Sequence, residues 1–387
     1  MSASKPPTDL DWLVSVDDHV IEPPNVWVDR VPAKYRDQVP HMVDSPRGPV
    51  WEYDGKQVPT SGLSVAAGKC KEEFSPDPVA FDEMRPGVYD PVARAADMDR
   101  AGILASLCFP SFPRFCGQVF WEAKDKEVAH LCVQAYNDWM MEEWCAGSGG
   151  RLIPLCLIPL WDPHAAAGEI RRNAARGCRA ITFPEMPHHL ALPSIHDPSG
   201  YWDPVFAAAD ETGTVLCMHI GSGSKMADVS PYAPRAANTV MTFSMAQISM
   251  VEWLVSGLLV RYPRLKIAYS ESQIGWMPFV LERLDKCFTH TAYAELPPEI
   301  TQPPSTYVKG RVFGCFFDDE TGIVNRDVIG VSQMLFESDY PHQDTTWPHS
   351  ETVVAKIAAQ LSDEELEMVL RGNAISMLGL DPAPLHP

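Results

Sequence analysis

The stretch WLVSVDDHVIEPP, residues 12–24, decides the fold class. Its first half is a run of mostly apolar residues, which is typical of a strand buried on both faces of a parallel sheet. The run ends in Asp17-Asp18-His19, and no glycine follows before Pro23. A doubly wound sheet that binds a dinucleotide has a glycine-rich turn at this point. The stretch therefore favours a (β/α)8 barrel over a doubly wound sheet.

Seven further apolar runs follow, and amphipathic stretches with helical spacing separate most of them. The runs are rich in Val, Ile, Leu, Phe and Cys and cover residues 103–110, 151–159, 179–185, 214–221, 265–271, 311–317 and 334–341. Eight strands that alternate with helices are typical of an α/β protein of the (β/α)8 TIM-barrel type. We predict one barrel domain over residues 1–387. Its closing helices lie within 361–380, and the GNAISMLGL stretch at 372–380 is expected to seal the bottom of the barrel.

Residues 30–90 interrupt the alternation directly after the first strand. Many of the 36 prolines lie here, and periodic apolar runs are few. Aromatic residues such as Trp51 and Tyr53 can fix the segment to a core. We predict a long proline-rich insertion over the surface that serves as a lid or as a subunit contact.

Charge and composition exclude several classes of protein. Lys and Arg total 31 and Asp and Glu total 51, so the formal net charge is −20. This balance, without any run of five basic residues, predicts no binding to nucleic acid and no attraction to a membrane surface. The sequence contains no stretch of about 18 uncharged apolar residues, so we predict no transmembrane helix. Because the N-terminus lacks the apolar core of a signal peptide, we expect a cytoplasmic location.

The ten cysteines are scattered and form no CxxC pair. Neither a zinc ribbon nor a disulfide framework is therefore indicated. Most of the thiols are expected to be small buried apolar groups.

Ligand-type side chains stand at the ends of four predicted strands. Asp17 and His19 are two residues apart, so both point to one face of the first strand. His219 ends the fifth strand, Glu271 the sixth and Asp339 the eighth. Taken singly, a histidine on an apolar strand is usually a core residue and an aspartate at a strand end is usually a turn former. Together, and without a basic partner, they are most simply neutralised by a divalent cation.

Six stretches resemble a known family. They are VDDHVIEPP (16–24), YDPVARAADMDRAGI (89–103), MHIGSG (218–223), ESQIGWMPFVLERLD (271–285), ESDYPH (337–342) and GNAISMLGL (372–380). They resemble the amidohydrolase superfamily, in the branch of the aminocarboxymuconate-semialdehyde and resorcylate decarboxylases, from about residue 14 to 380. The resemblance implies that Asp17, His19, His219 and Asp339 bind a metal ion.

Two positions depart from that family. The first strand carries Asp-x-His where founding members carry His-x-His, and Glu271 stands where many relatives have a histidine. Glu271 is then either a protonated general acid or a ligand of a second metal ion. His342, Glu185 and Glu22 are further donors for that second ion. We expect zinc, manganese or iron, with one or two ions per chain.

The resemblance implies a metal-dependent hydrolase or non-oxidative decarboxylase that acts on a small polar molecule bearing a carboxylate. Asp339 would move a proton, and His342 or Glu271 would supply the second acid or base. A dinuclear iron or manganese oxygenase and a non-catalytic subunit beside an active relative are the alternatives. The basic residues near the strand ends, Arg114, Lys225 and Arg235, are candidates to hold the substrate carboxylate. A homo-oligomer or a complex with a related chain is expected.

The remaining motif residues are expected to be structural. The aspartates of ADMDRAG (96–102) are expected to cap a helix or to pair with Arg94 or Arg100. Trp276 and Trp347 are expected to pack or to line the rim of the pocket.

Overall fold

The computed structural model describes residues 13–46, 48–290 and 295–381. All eight apolar runs form strands, and three more strands lie in the insertion. In chain order the strands are β1 Leu13–Val20, β2 His41–Ser45, β3 Gly48–Tyr53, β4 Lys56–Val58, β5 Ile103–Pro110, β6 Leu152–Ile153, β7 Leu155–Cys156, β8 Ala180–Thr182, β9 Val215–His219, β10 Lys266–Ser270, β11 Val312–Phe316 and β12 Met334–Phe336. Pro154 has no N–H to donate, and it divides the predicted third strand into β6 and β7.

Parallel pairing follows the chain order. One sheet has the order β1-β5-β6, and the other has the order β12-β11-β10-β9-β8-β7. The ends of β12 and β1 meet through two backbone hydrogen bonds. The Asp339 N–H donates to the Asp17 carbonyl at 2.8 Å, and the His19 N–H donates to the Tyr340 carbonyl at 2.6 Å. The strands therefore form the predicted (β/α)8 barrel.

Helices follow most barrel strands. They are α1 Pro91–Ala101, α2 Gln118–Glu122, α3 Lys126–Trp139, α4 Pro163–Ala174, α5 Asp203–Thr212, α6 Arg235–Met241, α7 Ser244–Val255, α8 Leu258–Arg261, α9 Met277–His290, α10 Glu320–Val324, α11 Arg326–Ile329, α12 Ser350–Ala358, α13 Asp363–Glu367 and α14 Asn373–Leu378. Asp90 caps α1 by accepting the Ala93 N–H, and Pro91 occupies its first turn. None of the described helices is long and apolar enough to cross a membrane.

Alternating side chains divide the apolar core into two layers. Along β9, Val215 and Cys217 belong to the cluster inside the barrel, whereas Leu216 and Met218 belong to the larger cluster between strands and helices. The period of two in a strand produces this division. Met377 of α14 joins the inner cluster, which confirms that GNAISMLGL seals the bottom of the barrel.

The insertion after β1 contains an antiparallel sheet that the sequence analysis did not predict. Its strand order is β2-β3-β4. Trp51 and Tyr53 of β3 are buried against Phe112, with ring centroids 5.0 and 6.4 Å from that ring. The proline-rich segment is therefore fixed to the barrel by aromatic packing, as its aromatic residues suggested.

Candidate metal centre

Three ligand-type side chains meet at the carboxyl ends of β1 and β9. The Nε2 atoms of His19 and His219 are 3.2 Å apart. Asp17 lies between them, with Oδ1 3.6 Å from His19 Nε2 and Oδ2 3.5 Å from His219 Nε2. All three residues are buried. Residues separated by 200 positions in the chain thus present one oxygen and two nitrogens to a common point, which we call the metal triad.

A second group of three shares His19 with the metal triad. Asp339 Oδ1 lies 3.2 Å from His19 Nε2 and 2.9 Å from His342 Nδ1. The His342 ring stacks on the His19 ring with centroids 3.7 Å apart. The four predicted ligands Asp17, His19, His219 and Asp339 are therefore brought together, with His342 beside them.

An irregular register in β1 aims the ligands into the barrel. Ser15 pairs with Ser106 of β5, but the next pairs join Asp18 to Cys108 and His19 to Phe109. Between these pairs β1 advances three residues and β5 advances two, so β1 contains one extra residue. A bulge of this kind reverses which residues of the strand face inward. Asp17 and His19 face the barrel mouth as a result, and Asp18 faces the helices.

Buried oxygens without partners show that the site fits a cation. Among the described residues, neither carboxylate oxygen of Asp17 has a hydrogen-bond donor. His219 Nδ1 lies 2.7 Å from the Ile220 carbonyl, so it carries the proton and leaves Nε2 free as a ligand atom. Buried unpaired charges are costly, and a divalent ion offsets that cost. One carboxylate and two imidazoles suit zinc, manganese and iron.

The pKa shifts reflect the same crowding of like charges. Burial, followed by the charges of Glu337 and Asp339, raises the pKa of Asp17 well above its usual value. Burial lowers the pKa of His219 to about 4, which favours the neutral imidazole that a metal requires. Burial also acts to raise the pKa of Asp339, but the charges and hydrogen bonds of His342 and His19 together outweigh burial, and the pKa is lowered.

Two further carboxylates adjoin the metal triad. Glu271 Oε2 lies 3.3 Å from His219 Nε2, and the Glu271 N–H donates to Glu337 Oε2 at 2.9 Å. Burial and the charge of Asp339 raise the pKa of Glu271. Glu337 is fully buried, and its Oε1 has no partner within the described chain. Glu337 directly follows β12 and stands two residues before the predicted ligand Asp339. This position at the end of a barrel strand was the signal in the sequence that could have identified it.

The backbone is unusual where two of these residues stand. Glu271 and Asp339 both have positive φ values, 51° and 55°. Residues other than glycine adopt this conformation rarely and at a cost, and such positions cluster at functional sites. The packing around β10 and β12 therefore holds both carboxylates in place.

His342 lies in one of the two ligand groups, but Glu22 and Glu185, the other two donors predicted for a second ion, lie in neither. Both oxygens of Glu22 accept backbone N–H groups, from Ser111 and Phe112 at 2.9 Å, so the prediction of Glu22 as a metal donor is wrong. The carboxylate instead ties the loop after β5 to the end of β1. Glu185 is buried beside the Gly221 loop, where burial raises its pKa to about 8, and it belongs to neither ligand group.

Aromatic rings line the histidines. Phe115 stacks on His219 with centroids 4.1 Å apart and planes 7° from parallel, and it is half-buried. The Phe109 centroid lies 5.0 Å from the His219 ring and 6.0 Å from the His19 ring. The mouth of the site therefore combines charged ligands with flat apolar walls.

The predicted basic residues lie outside this cluster. Arg114 is paired with Glu122 at 2.9 Å and donates to Ser224 Oγ at 2.6 Å, and Lys225 and Arg235 are exposed. A buried Arg94, in contrast, donates to the His19 carbonyl from below the site. Within the part of the chain that the structure describes, no guanidinium contacts the ligand side chains, although Arg94 supports the backbone of His19.

A cavity of about 380 Å³ lies elsewhere, between the insertion and α3. Its walls include His41, Glu52 and Asp54. It contains no residue of the metal triad, so it is not the site described above.

The family model named Amidohydrolase matches residues 19–380. The chain belongs to the amidohydrolase family. This family membership confirms the predicted resemblance and the prediction of an amidohydrolase-related enzyme.

Individual relatives are distant. The 2-amino-3-carboxymuconate-6-semialdehyde decarboxylase of Dictyostelium discoideum is 23% identical over 320 residues, which are 81% of this chain and 83% of that protein. An amidohydrolase structure from Mycobacterium avium subsp. paratuberculosis K-10 has a TM-score of 0.71 at 22% identity, covering 95% and 99% of the two chains. A dihydroxybenzoic acid decarboxylase structure from Polaromonas sp. JS666, with bound manganese and 2-nitroresorcinol, has a TM-score of 0.65 at 17% identity, covering 97% and 99%.

Proposed function

We propose that the chain is a divalent-metal-dependent, non-oxidative decarboxylase of a small aromatic carboxylate. The observation that carries this proposal is the buried convergence of Asp17, His19 and His219 with both Asp17 oxygens unpaired within the described chain. Support also comes from the matched relatives, since two of them are decarboxylases of carboxylated compounds.

We propose one cation per chain, held by Asp17, His19, His219 and Asp339. Both ligand groups include His19, whose Nε2 lies 3.6 Å from Asp17 Oδ1 and 3.2 Å from Asp339 Oδ1. One nitrogen lone pair binds one cation, so the two groups describe one occupied site. Manganese is the first candidate because it is bound in the dihydroxybenzoic acid decarboxylase structure. When bound, the ion supplies positive charge that polarises a substrate oxygen.

Decarboxylation breaks the bond between the ring carbon and the carboxylate carbon. The electron pair stays on the ring carbon, carbon dioxide leaves, and the ring carbon takes up one proton. We assign that proton transfer to Asp339 and His342, whose Oδ1 and Nδ1 atoms are 2.9 Å apart beside His19. His342 is partly exposed, at 17% of its side-chain surface, so it can exchange its proton with solvent.

The walls of the site favour an aromatic substrate. Phe115 and Phe109 present flat apolar surfaces next to the histidines. A planar ring can stack there while its carboxylate lies toward Asp17 and His19. The apolar walls also disfavour water near the carboxylate that is released as carbon dioxide.

Measurement of carbon dioxide release tests the proposal. The metal-free chain, prepared with a chelator, is restored with Mn²⁺ and assayed on a panel of hydroxylated benzoic acids and carboxymuconate semialdehydes. Carbon dioxide formed with Mn²⁺, absent with chelator and lost in Asp339→Asn, is the expected result. Hydrolysis of amides or esters without carbon dioxide release would replace the proposal by the hydrolase alternative.

A second candidate, the oxygenase, rests on the extra carboxylates. Glu271 at 3.3 Å from His219 Nε2 and the unpaired Oε1 of Glu337 offer oxygen ligands for a second ion. Two iron ions per chain and consumption of dioxygen would favour this function. One ion per chain without dioxygen consumption would leave the decarboxylase.

A cytoplasmic location and a homo-oligomer, or a complex with a related chain, stay predictions from the sequence. The non-catalytic alternative predicts a metal-free chain that is inactive by itself. Sedimentation of the chain purified alone measures its oligomeric state. Elemental analysis of the same sample measures its metal content.

A further inference from the structure

Tyr340 joins the two strand ends that carry the ligands. Its backbone N–H donates to Asp18 Oδ1 at 2.9 Å, and its carbonyl accepts the His19 N–H at 2.6 Å. It directly follows Asp339, whose φ is positive. The backbone of Tyr340 thus bridges the first and last strands of the barrel at the metal centre.

The side chain of Tyr340 is fixed by a partly buried ion pair. Its hydroxyl donates to Asp97 Oδ2 at 2.6 Å. Arg85 donates to the same carboxylate through Nε at 2.6 Å and through Nη2 at 2.5 Å. The expectation that the aspartates of this stretch pair with Arg94 or Arg100 is therefore wrong for Asp97.

The side chains of Tyr340 and Asp97 are closely packed by their neighbours. A Cβ on Gly87 would lie 2.2 Å from Asp97 Oδ2 and 2.8 Å from the Tyr340 hydroxyl. The Arg94 guanidinium lies over the Tyr340 ring, 4.3 Å from its centroid. Trp347 donates through Nε1 to the Asp97 carbonyl at 2.8 Å, so it is a packing residue here. Tyr340 is consequently held at its backbone, at its ring and at its hydroxyl.

We propose that Tyr340, oriented by Asp97 and Arg85, is a positioning residue that fixes His19 and Asp339 for metal binding. The inference rests on the proposed function, because it assigns these ligands to the cation. Tyr340 acts through its neighbours, since its hydroxyl donates to Asp97 and its carbonyl accepts the His19 N–H, while Arg94 donates to the His19 carbonyl. Arg85 lies at the end of the 30–90 insertion, so docking of the insertion supports the geometry of the metal centre.

Co²⁺ titration of the metal-free chain tests this inference. Tyr340→Phe removes the hydroxyl that Asp97 accepts and keeps the ring. The matched control is Tyr136→Phe, because the Tyr136 hydroxyl is buried and has no hydrogen-bond partner in the described chain. Binding is measured by equilibrium dialysis, and the visible absorption spectrum of the bound Co²⁺ reports the geometry of its ligands.

We expect Tyr340→Phe to bind Co²⁺ about 10- to 100-fold more weakly than wild type and to change the spectrum, as outer partners of metal ligands generally do. Tyr136→Phe should leave the affinity and the spectrum unchanged. Asp97→Asn is the second variant if Tyr340→Phe fails to fold, and it should weaken binding in the same direction.

Two results contradict the account in different ways. Wild-type affinity and an unchanged spectrum in a folded Tyr340→Phe chain, or in Asp97→Asn where it replaces that variant, would overturn the positioning role alone. A wild-type chain that binds no Co²⁺ would overturn the proposed metal centre, and the positioning role with it.

Discussion

Substitution of Asp17 by Asn should stabilise the metal-free chain and remove its response to metal. Asp17 is fully buried, neither carboxylate oxygen has a donor in the described chain, and Glu337 and Asp339 add repulsion. An unsatisfied buried polar group costs about 1–3 kcal/mol and a charged one costs more, so replacing the carboxylate by a neutral amide should recover a gain of about 1–3 kcal/mol. Unfolding entropy of about 2.1 cal/mol/K per residue gives about 0.8 kcal/mol/K for 387 residues. The expected rise in Tm is therefore about 1–4 °C.

Mn²⁺ should raise the Tm of the wild-type chain but not that of Asp17→Asn. At a Mn²⁺ concentration of about 100 times Kd, binding stabilises the wild-type chain by about 2.7 kcal/mol, which corresponds to about 3 °C in Tm. Asp17→Asn should show no such rise because it loses a charged ligand. Differential scanning calorimetry with chelator and with Mn²⁺ measures both effects.

Asp97→Asn is the matched control. Asp97 is also a buried aspartate, but it accepts three hydrogen bonds, two from Arg85 and one from Tyr340. Loss of a charge-assisted acceptor costs about 1.5–3 kcal/mol, so with chelator this variant should lower Tm by about 2–4 °C, whereas Asp17→Asn should raise it. An Asp17→Asn chain that is less stable than wild type with chelator, or that still gains stability from Mn²⁺, would refute the reasoning.

Three further predictions concern His219, Glu271 and Arg172. His219→Ala should weaken Mn²⁺ binding by more than the roughly 10- to 100-fold that outer-shell changes cost, which dialysis with elemental analysis would show; unchanged affinity counts against the triad. Glu271→Gln should leave one ion per chain by the same analysis, whereas a fall from two ions to one would establish the second site. Burial acts to raise the pKa of Asp138 and Glu169, but Arg172 together with the other donors, Arg176 for Asp138 and Asn137 and Gln134 for Glu169, outweighs burial and lowers both pKa values. Their contribution to stability is therefore present above their ordinary pKa of about 4 and is lost as pH falls through the lowered values, so Arg172→Gln should flatten the acid dependence of Tm.

The barrel and its ligands could be predicted because they depend on local patterns. Four of the eight predicted strands end in ligand-type residues, and parallel strands in a barrel bring all strand ends to one face. Asp17, His19, His219 and Asp339 were therefore identifiable before their contacts were known. The same logic included Glu271, which does contact His219.

What the sequence did not reveal depends on register and on packing between distant segments. The bulge in β1 decides that Asp17 rather than Asp18 faces inward, and spacing alone cannot show an extra residue in a pair of strands. Glu22 resembled a ligand, but two backbone N–H groups of the loop after β5 occupy it. Tyr340 and Asp97 are 243 residues apart, so their hydrogen bond leaves no periodic signal.

Anomalous diffraction from crystals grown with Mn²⁺ tests the central claim most directly. We expect one strong peak per chain within bonding distance of an Asp17 oxygen and of the Nε2 atoms of His19 and His219. A chain without a peak at this point, or with its peak in the cavity beside His41 and Asp54, would contradict the account.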